Sequence, residues 1–271
     1  MARNGRHFSK KRTGGAPRVL PVLLIVAGVI LILGAGGLFV RSQIGYGQAK
    51  SEYDALEQYA VSDKGSEGSA AAGAPTVDFD SLAKINPDVV GWICIPGTPI
   101  NYPVVQTNDN STYLTRMFSA TSNPGGAIFL DKDAKAPGVI DQQTTIYGHH
   151  MNDGSMFKAI DGTLDQGTFD SIGRVWYVTR DATYMFRPLF TAQVPDTYED
   201  ARTANFTGNE TLSSYLQDML GRAKAKASDA KTRIGSADHV LTLVTCAGDI
   251  IPRTTRAAMV CTLEESVPAS S

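Results

Sequence analysis

The run LTLVTCAGDIIPRTTRAAMV, residues 241–260, carries a strand-forming stretch to Cys246, passes through a loop containing Gly, Asp and Pro, and resumes at Arg256. A cysteine where a strand exits into a loop keeps a fixed backbone and a reachable sulfur. Attack by sulfur needs the thiolate, so a cation is expected nearby. If the two strands pair as antiparallel neighbours, the last residue of one lies beside the first of the next. A guanidinium there cannot deprotonate and would donate hydrogen bonds to a carbonyl or a developing oxyanion. Plainer readings stand alongside: Cys246 as a small buried hydrophobe, and Arg256 in a surface ion pair with Asp249 or another acid. Arg253 competes for the same role within the loop. For proton transfer histidine is scarce. His7 falls in the N-terminal tail and His239 opens a strand and reads as surface, which leaves YGHHMNDGSMF, residues 147–157. His149 ends a strand, follows a glycine and precedes a polar turn. A strand-end imidazole beside a strand-end thiol is the geometry that general acid–base catalysis needs. It also reads as a solvated turn histidine, with His150 pointing the other way. Asn110, Tyr113 and Leu114 in DNSTYL read as loop capping and core packing.

These side chains need a rigid frame, and the sequence supplies many short β-type runs. VVGWICIPGTPINYPVVQ (89–106) gives two runs around a Pro-Gly turn. Further runs are GAIFLD (126–131), TTIYGH (144–149), RVWYVTR (174–180), TYMFRPLFTAQV (183–194), HVLTLVTC (239–246) and RAAMVCTL (256–263). Short strands separated by turns predict a mainly β barrel or sandwich. A short helix is expected over 78–89, starting at Asp78 or Asp80 and stopping near Pro87. One later helix interrupts the strands. TGNETLSSYLQDMLGRAKAKA (207–227) puts Leu212, Leu216, Met219 and Leu220 on one face, with a capping box at Thr207 and Glu210 and with Lys224 and Lys226 at the C-terminal end.

The chain has 271 residues, enough for one sizeable domain with appendages. With 42% hydrophobic residues and a net charge of −2, it can build a packed core, and no bulk charge points to nucleic acid. The charge is unevenly placed. Arg3, Arg6, Lys10, Lys11, Arg12 and Arg18 form a basic tail over 1–18 without an acid, followed by VLPVLLIVAGVILILGAGGLFV (19–40), which has no ionisable side chain. A helix of that length crosses a bilayer core of ~30 Å. The basic flank keeps the N-terminus cytoplasmic and sends the rest outward. A cleavable signal peptide is the rival, but the apolar run exceeds the usual ~7–15 residues and no A-x-A site follows. The expected organisation is therefore a cytoplasmic tail (1–18), a single transmembrane signal-anchor helix (19–40) and an extracytoplasmic helix with a flexible linker (41–76). A catalytic domain (77–265) and a short tail (266–271) complete it, with no second span. Within the linker region, 48–60 has helical spacing of Tyr53, Leu56 and Tyr59, and 62–75 is a Gly/Ser/Ala-rich tether. Three cysteines, Cys94, Cys246 and Cys261, leave at least one thiol free in an exported domain. No Cys/His spacing suits zinc, and no glycine-rich phosphate loop occurs. Cys94 and Cys261 read as packed cysteines.

Taken together, TIYGHHMNDGSMF, LTLVTC and an arginine ten residues past the cysteine resemble the sortases, the cysteine transpeptidases of Gram-positive bacterial surfaces. INPDVVGWICIPGTPINYPVVQ, DNSTYL and GGAIFLD resemble their class B branch, and the likeness runs from about residue 79 to 263. The resemblance implies a closed, mostly antiparallel eight-stranded β-barrel with peripheral α-helices, the helix near 209–226 being an insertion between the sixth and seventh strands. It implies Cys246 as nucleophile, His149 as acid and base, and Arg256 as oxyanion and substrate ligand. It further implies Thr245, Asn110 and Leu114 as substrate-binding residues, with Tyr147 and the 195–206 segment as further wall. Two departures bear on fine specificity: CAGD lacks the acidic residue that often follows the cysteine in class B, and Val244 replaces a small polar residue of some members. The absence of an Asp-Pro-aromatic lid and of a C-terminal span argues against the pilus-building class C.

The implied reaction takes a C-terminal sorting signal of a surface protein, of the NPxTN or LPxTG type, through a thioacyl enzyme to an amine of the cell wall, its lipid-linked precursor, or a pilin lysine. No metal or organic cofactor is implied. The alternatives are a hydrolase on the same fold, a pilin-assembling enzyme, and an inactive membrane-tethered binding module.

Overall fold

A computed structural model describes the protein over residues 19–62, 73–208, 210–248 and 254–269. The basic tail, most of the 62–75 tether, Asp249 and Arg253 lie outside these residues. Helix α1 (Val19–Leu56) leads to two short antiparallel strands, β1 (Ala60–Ser62) and β2 (Pro75–Val77). Helix α2 (Phe79–Ile85) starts where Asp78 accepts the Ser81 N–H at 3.0 Å, which makes Asp78 rather than Asp80 the N-cap of the two starts expected. There follow β3 (Val89–Cys94), β4 (Asn101–Val105), β5 (Ile128–Leu130) and β6 (Gln143–Tyr147). Helices α3 (Lys158–Gly162) and α4 (Gln166–Ser171) precede β7 (Val175–Val178) and β8 (Ala182–Pro195). Helix α5 (Leu212–Gly221), β9 (Ala223–Lys226) and α6 (Ala230–Ile234) then lead to β10 (Val240–Cys246) and β11 (Thr255–Pro268).

Neighbouring strands run β11-β10-β6-β5-β4-β3-β7-β8, and β8 pairs back onto β11. Among the described residues this closes an eight-stranded barrel, with β9 added along β8. The β4–β5 and β6–β10 pairs are parallel and the other pairs of the barrel antiparallel. Side chains alternate across a strand, and β10 and β11 are buried on both faces. Leu241, Leu243, Met259 and Cys261 pack into the main core, whereas Val240, Val244, Ala258 and Val260 pack with Leu212, Leu216 and Met219 of α5. That double burial is why LTLV and AAMV read as continuous apolar runs.

Helix α5 does lie between the sixth and seventh barrel strands, but its ends differ from the sequence expectation. The capping box is Thr211 with Ser214, not Thr207 with Glu210. The helix stops at Gly221, and Lys224 and Lys226 belong to β9, paired with β8. Lys and Ala favour helix in isolation, and here the ladder to β8 overrides that preference.

The N-terminal expectation also shifts. One helix covers 19–56 where two were expected, and a compact unit begins at Gly45, well ahead of Val77. The helical spacing of Tyr53 and Leu56 finds a partner. Tyr53 packs edge-on against Tyr102 at 5.3 Å and donates its hydroxyl to the Gly126 carbonyl at 2.9 Å. Glu52 accepts the Ser119 N–H and hydroxyl at 2.8 and 2.7 Å, and Asn123 Nδ2 donates to the Gly45 carbonyl at 2.9 Å. At the other end, β11 continues to Pro268, past the expected limit at 265. In the separate unit Met1–Ile44, the apolar side chains from Val22 to Leu33 are exposed. No helix among the described residues is long and apolar enough to cross a membrane; the side chains of α1 are described without a break over 21–37 and over 47–56.

Candidate active site

Cys246 and Arg256 are direct cross-strand partners at the ends of β10 and β11. Such partners have Cβ atoms about 4.5–5.5 Å apart on one face of the sheet. On the other side β10 runs parallel to β6, with Val244 beside Tyr147. Two further residues along both strands bring Cys246 level with His149, and Gly148 N–H donates to Val244 O at 3.1 Å to hold that exit together. The three residues expected from the sequence therefore meet at one rim of the barrel. Cys246 is partly exposed, and Cys261 is fully buried. Burial pushes the Cys94 thiol up to about 11, with the Glu57 carboxylate adding to the effect, and pushes the Cys261 thiol up further. Among the described residues Asp196 is an acid near Arg256, its carboxylate 3.9 Å from the guanidinium. His239 is half-buried, with Nδ1 2.9 Å from Asp141 O, rather than a plain surface residue.

The His149 ring sits in a socket made by the 113–126 loop. Its Nε2 is 2.7 Å from Leu114 O; since a carbonyl can only accept, this hydrogen bond places a proton on Nε2 and leaves Nδ1 for exchange. Gly126 closes the socket at φ +61°, where an added Cβ would lie 2.8 Å from His149 Cδ2 and 2.6 Å from Tyr113 O. His150 is buried on the other side, its Nε2 2.8 Å from Lys158 Nζ and 3.1 Å from Asp161 Oδ2. The other oxygen of Asp161 accepts the Gly248 N–H at 3.1 Å, so one carboxylate holds the neighbour of His149 and the start of the loop after Cys246.

A cleft of about 420 Å³ runs from these residues. Leu114, Phe129, Tyr147, Val194, Tyr198 and Val244 give it apolar walls, and Asn110, Arg202 and Thr245 also line it. All four residues expected to bind substrate thus border the cleft, as do Pro195, Asp196, Tyr198, Ala201 and Arg202 of the expected 195–206 wall. Asn110 is also the loop cap that its type suggested, accepting the Lys132 N–H at 2.8 Å. Thr245 is buried, and its hydroxyl has no partner among the described residues. Tyr113 is core, its hydroxyl donating to Asp88 at 2.7 Å. Tyr198 is fixed to α5 by a hydroxyl donated to Asp218 at 3.2 Å and by the Arg222 guanidinium 5.0 Å over its ring. Among the described residues no group of three or more His, Cys, Asp or Glu side chains could hold a metal ion.

Residues 93–264 match the sortase domain. The chain belongs to the sortase family. Sortase B of Staphylococcus aureus strain NCTC 8325 is 29% identical over 231 residues, covering 84% of this chain and 90% of that protein. The solved structure of Bacillus anthracis sortase B in complex with AAEK1 is 26% identical and superposes with a TM-score of 0.66 over 81% of this chain and 98% of that one. A Staphylococcus aureus sortase B–substrate complex shares the fold, with a TM-score of 0.65, 23% identity and coverage of 84% of this chain and all (100%) of that one. The protein is a class B sortase, a cysteine transpeptidase.

Several residues around the site of this class B sortase were not singled out in the sequence. Asp131 ends the GAIFLD run, Asp161 follows an ordinary amphipathic stretch, and Arg202 was covered only as part of a segment. Each has at least one partner far away in sequence: Asp131 and Arg202 each other, and Asp161 the Gly248 N–H. The one local signal was the density of polar residues at the ends of β-type runs.

Proposed function

We propose that this class B sortase is a single-pass membrane enzyme with a cytoplasmic N-terminus and an extracellular catalytic domain. In this reading it cuts a C-terminal sorting signal of the NPxTN or LPxTG type and joins the acyl part to an amine of the cell wall or its lipid-linked precursor. The apolar, ionisable-free stretch 19–40 behind a basic tail supports the anchor. The observation that carries the chemistry is the cross-strand pairing of Cys246 with Arg256 at the cleft end that His149 also borders.

In this reading the Cys246 thiolate attacks the threonine carbonyl carbon of an extended peptide lying in the cleft. Arg256 donates to the oxygen as it gains charge, which such donors typically stabilise by about 3–4 kcal/mol. As the C–N bond breaks, His149 Nδ1 delivers a proton to the departing amine, and its Nε2–H stays on Leu114 O. The thioacyl enzyme then meets the acceptor amine; His149 takes its proton, the amide forms and the thiolate leaves. The apolar walls suit the proline-containing part of the signal, and Asn110 and Thr245 are its polar contacts.

The test uses the full-length protein in detergent with NPxTN- and LPxTG-type peptides and an amine, read by intact mass spectrometry. The expected result is a thioacyl adduct on Cys246 and an amide product, both lost in Cys246→Ala, with His149→Ala losing the amide. Hydrolysis as the sole outcome with every amine offered would refute transfer, and absence of any adduct would refute this choice of signals.

A further inference from the structure

One buried carboxylate outside the catalytic rim gathers three parts of the cleft wall. Asp131, just past β5, is buried with 1% of its surface exposed. A single oxygen, Oδ2, accepts from Tyr147 Oη at 2.7 Å, Asn110 Nδ2 at 3.0 Å and Arg202 Nε at 3.1 Å. Its other oxygen accepts the Asp133 N–H at 2.9 Å, and its own N–H is bonded to Thr145 O at 2.9 Å. The three donors come from the loop after β4, from the end of β6 and from the segment after β8. All three residues border the cleft, and Asp131 does not. Their shared dependence on one buried carboxylate makes the wall a unit, since removing the acceptor takes a common partner from a half-buried hydroxyl, an amide and a half-exposed guanidinium.

The position matters as much as the bonds. Asp131 is level with Thr145, four residues before His149 on the path of β6. At ~3.3 Å per residue this is roughly 13 Å, the length of an extended tetrapeptide. The hub therefore stands one short peptide's length from the reacting end.

We propose that Asp131 is a positioning residue that fixes the wall of the cleft remote from Cys246 and so governs how tightly the peptide is held, without a part in the chemical steps. This rests on the reading of the cleft as the peptide groove. Loss of the hub should weaken uniform binding, raising KM and sparing kcat.

The test compares full-length wild type, Asp131→Asn, Arg202→Ala and the double variant in detergent. It measures KM and kcat for a processed peptide, the rate of Cys246 alkylation by iodoacetamide, and amide hydrogen exchange over 195–206. Expected are a KM raised about tenfold or more in Asp131→Asn with kcat within about threefold. Alkylation should be unchanged, exchange over 195–206 faster, and Arg202→Ala should add little on top. A fall in kcat and alkylation with KM unchanged, or fully additive effects of the two substitutions, overturns the proposal. If the wild type processes no peptide, the groove reading fails and exchange alone decides: unchanged exchange over 195–206 overturns the hub. If Asp131→Asn shows no cooperative melt, Tyr147→Phe and Arg202→Ala each remove one donor. Faster exchange over 195–206 with unchanged alkylation in both then supports the hub, and unchanged exchange in both overturns it.

Discussion

Gly126→Ala tests the claim that the 113–126 loop is a socket for the His149 ring. Gly126 holds φ +61°, and an alanine there would place its Cβ 2.6 Å from Tyr113 O, 2.8 Å from His149 Cδ2 and 3.0 Å from Leu114 O. Carbon–oxygen contacts ordinarily begin near ~3.3 Å, so something must move by more than half an ångström. Neither carbonyl is free to move: Tyr113 O accepts the Ala127 N–H at 2.9 Å, and Leu114 O lies 2.7 Å from His149 Nε2. The left-handed backbone costs an alanine about 1–2 kcal/mol, and overpacking adds about 1–3. The total of about 2–5 kcal/mol should lower Tm by roughly 4–20 °C in a domain of this size. The imidazole is the softest of the three neighbours, so it should shift, and a displacement near 1 Å can cost about 100-fold in rate. The assays are thermal unfolding and transpeptidation kinetics on the full-length enzyme. Gly97→Ala serves as control: φ is +82° there, but no atom of the described residues lies within 4 Å of the added carbon, so it should lose about 1–2 kcal/mol and keep its kcat. A Gly126→Ala enzyme with the stability and kcat of Gly97→Ala would show that His149 is not seated by this loop.

Iodoacetamide at pH 8 should label Cys246 and leave Cys94 and Cys261 intact, because burial raises the Cys94 thiol to about 11 and the Cys261 thiol further; peptide mapping that finds Cys94 labelled as fast as Cys246 contradicts this. A chain starting at Val77 should melt well below one starting at Gly45, since it forfeits the burial of Tyr53 and Leu56, worth about 1.5–3 kcal/mol each; equal melting temperatures would refute the docking of the helix. Burial alone would raise the Asp141 carboxyl, but the Lys135 N–H at 2.7 Å, Asn205 Nδ2 at 2.7 Å and the Lys135 ammonium outweigh it, and the net shift is downward. A lowered folded-state pKa gives stability that is complete above the unfolded value of about 3.9 and lost as pH falls through the folded one. Asp141→Asn should thus destabilise the fold at pH 7 and flatten its acid-side loss below about pH 4; a variant with an unchanged acid limb in urea melts would count against this. Arg256→Ala should lose roughly 100- to 1000-fold in kcat with peptide still bound; a loss confined to KM would move Arg256 from oxyanion stabilisation to ground-state binding.

The strands were legible because burial on one or both faces leaves a short-range pattern, and the runs around Trp92, Ile146, Leu243 and Met259 all became barrel strands. The meeting of Cys246, His149 and Arg256 at one rim was legible because strand ends are where side chains can be both held and exposed. Other features depend on contacts that no local window contains. Asp131 draws its donors from residues 110, 147 and 202, so its type alone said nothing. The small-residue tether at 62–75 suggested that folding starts after it, yet the helical face before it docks through Tyr53 onto Gly126. Thr207 and Glu210 had the right spacing for a cap, and Thr211 and Ser214, one turn on, hold the actual helix start.

The parallel pairing of β6 with β10 also shapes the order in which an active enzyme comes into being. His149 and Cys246 meet only after the chain between them has been folded back, a closure whose entropy must be met before any contact rewards it. Arg256 comes with β11, the strand that pairs with both β10 and β8 and seals the barrel. As synthesis runs from the N-terminus, the thiol emerges before the strand that brings its arginine. A chain halted after β10 would carry the Cys246 thiol on a sheet with β8 and β10 as open edges, a template for pairing with another molecule. Completion of the C-terminal strand thus sets Arg256 beside Cys246 and removes the aggregation hazard in one step.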